Sequence, residues 1–237
     1  YGGRAATPRL DALAASGARF TFAHAHAVVT LPSHTSLFTG LYPYQHGVRD
    51  NNGYRVRTGE TTLATRLKVL GFATGAFVGA FPLDQRFGLN QGFDVYDDRV
   101  PESGPTVDFA LPERPANEVV SAATAWIATQ STPWFSWVHV FDPHAPYRPP
   151  APFDTQYAGD PYAGEVAWTD AALAPLLDQL RTLSRPTLVI VTADHGESLG
   201  EHGELTHGIF AYDATLRVPL IVAEVTPGSA ASSRGRT

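Results

Sequence analysis

The chain has 237 residues, 43% of them hydrophobic, which suffices for one sizeable α/β core and is unlike the composition of a disordered segment. Its formal charge of -6, with no run of Lys or Arg, lacks the basic footprint that nucleic-acid binding requires, so no nucleic acid is expected as a partner. The absence of Cys removes disulfides, thiolate metal ligands and Cys nucleophiles. The absence of Met implies that sequence precedes Tyr1, where a signal peptide or membrane anchor would stand, so membrane attachment is left open. Within the chain, the apolar stretch at 72–81 is broken by Gly, Thr and Pro and falls short of the ~20 residues needed to cross a bilayer.

Taken in chain order, a helix is predicted over 7–16, with Pro8 near its first turn and Gly17 as its stop, and a strand over 19–25. A helix from Pro32 to Gly40 follows, then a helix over 61–70 closed by Gly71 and a strand over 72–79. The pattern repeats as a helix over 119–129 and a strand over 134–141. The longest amphipathic helix, 167–183, carries Leu173, Leu176, Leu177 and Leu180 on one stripe and feeds a strand over 187–192; a last strand covers 218–222. This alternation predicts an α/β fold, a mostly parallel central sheet flanked by helices on both faces. The segments 84–115 and 142–162, rich in Gly, Asp, Pro and Tyr, read as long surface loops of the kind that carry function, and 228–237 as a frayed tail. No repeat or linker divides the chain, so 1–237 is taken as a single domain.

In a doubly wound sheet, ligands collect beyond the carboxyl ends of the strands. The strand 187–192 runs into Asp194, His195, Gly196 and Glu197, and an adjacent Asp and His offer one divalent cation a hard oxygen and a borderline nitrogen. The bland alternative is a turn cap at Asp194 with His195 an ordinary loop residue. His202 reads as a surface residue, whereas His207, next to Gly208 and ahead of a strand, is the better candidate for meeting an anion. Pro32 in the first turn of a helix puts Thr30 and Ser33 at its electropositive N-terminus, a natural anion site; the competing reading is a simple N-cap. His144 follows the strand 134–141, and taken alone it reads as structural.

The joint order of these motifs resembles the sulfatase family of the alkaline phosphatase superfamily. It runs from Thr7-Pro8 with Leu10-Asp11 and Leu13-Ala14, through Thr30-Leu31-Pro32-Ser33-His34, Thr39-Gly40, Tyr42-Pro43 and His46-Gly47-Val48, to Asp142-Pro143-His144, Pro146-Tyr147, Asp194-His195-Gly196-Glu197 and His207-Gly208. In that family the residue opening the signature becomes a formylglycine that coordinates the metal and acts as nucleophile. Here it is Thr30, whose oxidation would give a ketone, so no formylglycine is expected. The resemblance instead implies direct attack by Thr30, as in the Thr-nucleophile phosphodiesterases, phosphonate hydrolases and phosphoethanolamine transferases of the superfamily.

Carried over by position, the resemblance implies Asp194, His195 and Thr30 as ligands of a divalent cation, with Ca, Mg, Mn and Zn all open. Asn51 and Ser33 would bind substrate, and His144 would face the leaving group. His34 stands where the family usually has Arg and His207 where it has Lys; both are expected to be catalytic, but as groups whose charge depends on pH. The family also begins with a strand ending in Asp ligands, so the chain is expected to lack its first strand and to be truncated at both ends. The expected function is metal-dependent hydrolysis of a phosphate, phosphonate or sulfate ester, with a small-molecule, glycan or lipid anionic ester as substrate. The alternatives are a phosphoethanolamine-type transferase and a non-catalytic anion-binding domain. Family resemblance favours a periplasmic, extracellular or membrane-anchored location.

Overall fold

A computed structural model describes residues 2–100 and 113–228. Part of the loop expected at 84–115, and nearly all of the tail expected at 228–237, lie outside the described residues. The first helix, α1 (Pro8–Ser16), has Pro8 in its first turn, where a missing N–H costs nothing, and leads into β1 (Ala18–His24). Then α2 (Thr30–Thr39) ends at Gly40, whose φ of 70° is the left-handed conformation that glycine adopts without a Cβ clash. The single-turn α3 (Pro43–His46) precedes α4 (Leu63–Val69), β2 (Ala73–Val78), β3 (Val95–Asp97), α5 (Ala116–Ala128) and β4 (Trp134–His139). After α6 (Phe153–Gln156) come α7 (Pro161–Ala172), α8 (Ala174–Leu180), β5 (Thr187–Thr192), α9 (Asp213–Leu216) and β6 (Arg217–Val225).

Most expected elements are present within a few residues of their predicted ends, and three corrections have clear causes. The helix predicted over 167–183 is two helices meeting at Leu173, because Pro175 lacks the N–H and its ring blocks the carbonyl four residues back. The first of them begins at Pro161, where the Asp160 carboxylate accepts the Ala163 N–H at 3.2 Å, inside what reads as a loop. The segment 84–115 contains β3, a strand held by pairing with β2 rather than by its own apolar pattern. The third correction is at α2, which starts at Thr30; Val29 is its N-cap, so Thr30 is the first helical residue and not a cap.

The chain forms two compact units. One, His24–Phe141 with Ala193–Val218, contains a parallel sheet of order β3-β2-β4. Alternation along β2 and β4 sends side chains to opposite faces. Phe77 and Val138 pack with Val119, Ala123 and Trp126 of α5, whereas Val78, Phe135 and Trp137 pack with Leu31 and Phe38 of α2. The parallel sheet therefore carries a helix on each face, as the alternation of elements predicts.

The other unit, Tyr1–Ala23 with Asp142–Thr192 and Pro219–Thr237, contains a sheet of order β1-β6-β5, in which β5 and β6 run antiparallel. There the buried Asp170 of α7 accepts the Arg9 and Leu10 N–H groups at 3.1 and 2.8 Å, capping α1 in place of a local side chain. Among the described residues, no helix is long and apolar enough to cross a membrane.

Candidate active site

Helix α2 brings three of the expected residues onto one turn. Thr30 and Ser33 are buried, as is His34, which lies one turn after Thr30 and places Nδ1 2.9 Å from the Thr30 carbonyl oxygen. A carbonyl only accepts, so Nδ1 carries the proton of the neutral ring. The turn is clipped at two points: the Leu31 N–H donates to Asn51 Oδ1 at 2.7 Å, and the Ser33 hydroxyl donates to the Asp194 carbonyl oxygen. Asn51, expected to bind substrate, is therefore also the polar partner of the α2 N-terminus. Ser33 likewise holds its helix against the segment that carries Asp194.

Asp194 lies on the bend that follows β5, where Gly196 lets the chain pass close to α9. A Cβ at Gly196 would run into the Ala214 carbonyl oxygen, and its N–H donates to the Thr215 carbonyl at 2.8 Å. The Asp194 Oδ2 atom is 3.4 Å from both His34 Nδ1 and His195 Nε2. His195 Nδ1 lies 2.8 Å from the Gly196 carbonyl, so it is the donor there and the neutral ring keeps its lone pair on Nε2, facing the carboxylate. Two lone-pair donors at this separation match the spacing of neighbouring ligands around a cation with bonds of ~2.1 Å.

The structure adds a residue that the sequence did not single out. His139, the last residue of β4, has its ring centre 4.9 Å from that of His34. One ring nitrogen of His34, one of His139 and a carboxylate oxygen of Asp194 all lie within 4.8 Å of one another, a donor set able to hold a metal ion. Nδ1 of His139 is buried and has no hydrogen-bond partner among the described residues. Its signal in the sequence was faint: it shares the strand face of Phe135 and Trp137, where an imidazole is out of place among aromatic core residues.

Burial dominates the electrostatics of this cluster. It pushes the His34 imidazole down, against the pull of the Asp194 carboxylate and the Thr30 carbonyl. It pushes His139 down to about 3, with the neighbouring His34 adding to the effect. Burial acts to raise the Asp194 carboxyl, but the imidazoles of His195, His34 and His139 outweigh it and hold the group below its ordinary range.

His207 sits beside the cluster. The His207 ring lies 4.1 Å from that of His195, tilted by 36°, and its Nδ1 is 2.9 Å from the carboxylate of the half-buried Glu197. His202 is an exposed residue stacked on Tyr212 at 3.8 Å, as its sequence context suggests. His144 belongs to the other unit, where its N–H donates to the buried Glu165 carboxylate at 3.0 Å and the Arg148 N–H donates to the same group.

The Sulfatase family model matches residues 1–230. The ulvan-active sulfatase of Formosa agariphila is 28% identical over 266 residues, covering 91% of this chain and 51% of the relative. The uncharacterized sulfatase YidJ of Escherichia coli K12 is 25% identical over 294 residues, covering 91% and 57%. The chain thus spans about half the length of the curated relatives it matches. Among solved structures, the phosphonate monoester hydrolase of Agrobacterium radiobacter superposes with a TM-score of 0.74 at 19% identity, over 92% of this chain and 63% of the other. A match over residues 1–230 of the 237 establishes that the chain belongs to the sulfatase family.

Proposed function

We propose that the protein hydrolyses an anionic phosphate, phosphonate or sulfate ester through a covalent intermediate on Thr30. The observation that carries this reading is the position of Thr30, buried and first on α2, one turn before the Ser33 and His34 contacts to Asp194. Relatives named as sulfatases and a fold neighbour named as a phosphonate monoester hydrolase support the substrate range.

Asp194 and His195 would hold a divalent cation, with Thr30 as a further ligand, and their facing lone pairs fit that duty. When bound, the cation supplies Lewis acidity toward the hydroxyl and the anion. The Thr30 hydroxyl attacks the phosphorus or sulfur while releasing its proton to solvent, a loss that a bound cation would favour, and the bond to the leaving oxygen breaks as that oxygen takes a proton from His207. The electropositive N-terminal end of α2 and the Asn51 amide N–H groups stabilise the non-bridging oxygens. Water then cleaves the Thr30 ester and restores the hydroxyl. Because a secondary alcohol cannot yield an aldehyde, this route uses Thr30 without conversion to formylglycine.

The test is turnover of a panel of aryl phosphate, phosphodiester, phosphonate and sulfate esters by the metal-loaded protein. Thr30→Ala is expected to abolish activity, and mass spectrometry of quenched reactions to find the substrate-derived group on the peptide containing Thr30. Silence across the whole panel, or full activity in Thr30→Ala, overturns the proposal.

A further inference from the structure

Three elements of one unit converge on Asp194: α2 brings His34, the end of β4 brings His139, and the bend at Asp194 brings the carboxylate. The side chain of Asp194 is mostly buried, and its Oδ2 lies 3.4 Å from both His34 Nδ1 and His195 Nε2. A buried carboxylate needs a positive partner, because leaving the charge uncompensated costs several kcal/mol. The buried, unpartnered Nδ1 of His139 is a second and independent sign that something is to be bound.

We propose that His34, His139 and Asp194 form a seat for a transition-metal dication of the zinc class, with two imidazole nitrogens and one carboxylate oxygen as its ligands. It rests on the reading of Asp194 as a cation ligand and deepens it by adding His34 and His139 to the donors around that carboxylate and by naming the class of metal. Ca2+ and Mg2+ favour shells made of oxygen, whereas imidazole suits Zn2+ and its borderline neighbours, so two nitrogens in three donors select against the hard cations. At position 34, where the sequence resemblance leads one to expect a permanent guanidinium, positive charge then arrives by coordination.

The probes are Zn2+ and Ca2+ added to metal-stripped protein, with binding followed by competition against a chromophoric chelator. Zn2+ is expected to bind, an equal concentration of Ca2+ to leave it in place, and His34→Gln and His139→Gln each to weaken it by more than about 100-fold. X-ray absorption at the zinc edge of the unmutated protein provides a readout that does not depend on the variants folding; outer-shell scattering from imidazole is expected. Unchanged Zn2+ affinity in a folded His139→Gln variant, a spectrum without imidazole scattering, displacement by Ca2+, or no cation bound at all overturns the proposal. The broader reading fails by a different result: cation affinity retained in Asp194→Asn together with turnover retained in Thr30→Ala.

Discussion

At the scale of single residues, polar groups in this protein tend to carry structural and chemical duties together. Asn51 accepts the Leu31 N–H through its Oδ1 and is also the proposed anion contact through its amide nitrogen. The variant Asn51→Asp separates the two, since it keeps the acceptor and removes the donor. Its melting temperature is expected to stay close to that of the unmutated protein while kcat/KM falls by about 10-fold or more; activity measured beside a thermal melt checks both. His46 illustrates a purely structural histidine. It is buried, its Nδ1 accepts the Val48 N–H at 3.1 Å, and its other nitrogen lies 3.1 Å from the Ser36 hydroxyl.

Burial lowers the folded-state pKa of His46 below its ordinary 6.5, with the charges of Glu60 and Arg57 acting in opposite directions. A base depressed in the folded state is harder to protonate there than in the unfolded chain. Its contribution to stability is therefore complete above 6.5 and lost as pH falls through the lower folded value. His34 and His139 share this sign. Urea denaturation between pH 7 and 4 is expected to show stability falling with acid, with a shallower fall in His46→Asn, which keeps an acceptor for Val48 but does not titrate.

At the scale of elements, helices here are fixed by polar clamps as much as by apolar faces. The start of α4 is a reciprocal pair in which the Thr62 hydroxyl accepts the Thr65 N–H at 3.1 Å and the Thr62 N–H donates to the Thr65 hydroxyl at 2.8 Å. Replacing Thr62 by Ala is expected to cost about 1–2 kcal/mol, read as a lower urea midpoint. This is also the scale at which the sequence was most legible. The strand β5 was predicted with the bounds it has, because a continuous Leu-Val-Ile-Val run between Pro186 and Ala193 admits little else. Thr30, Ser33, His34 and Asp194 were singled out as candidates through motifs, and they stand on segments linked by contacts.

What was not legible depends on partners distant in sequence. The short β3 exists through its ladder to β2 and through Asp94, whose carboxylate accepts from Thr74. The role of His139 appears only once α2 lies across β4, and the role of Glu165 only once α7 turns its carboxylate toward the loop carrying His144. Spacing along a chain does not encode such encounters; packing does.

At the scale of the molecule, a net charge of -6 opposes the anionic substrate proposed above, so on that proposal attraction comes from the site itself. Screening by salt is then expected to raise kcat/KM toward a charged ester between low and physiological ionic strength, and steady-state kinetics at several salt concentrations check this. Cation binding should also be visible as folding stability. At a free concentration about 100 times the dissociation constant, a ligand that binds only the folded state adds about 2.7 kcal/mol. Chelation is expected to lower the melting temperature accordingly, and Asp194→Asn to remove the difference.

Thr30, Ser33 and His34 ride on one helix whose other side is buried through Leu31 and Phe38. The proposed nucleophile and the proposed ligand therefore share a single rigid mount, so tilting the helix moves both together and neither can drift alone. Loosening that mount from behind, as in Phe38→Leu, should make cation affinity and turnover decline in step across a series of such variants. A site assembled from independent loops would show the two losses uncorrelated, which makes the slope of one against the other a measure of how stiffly the helix is held.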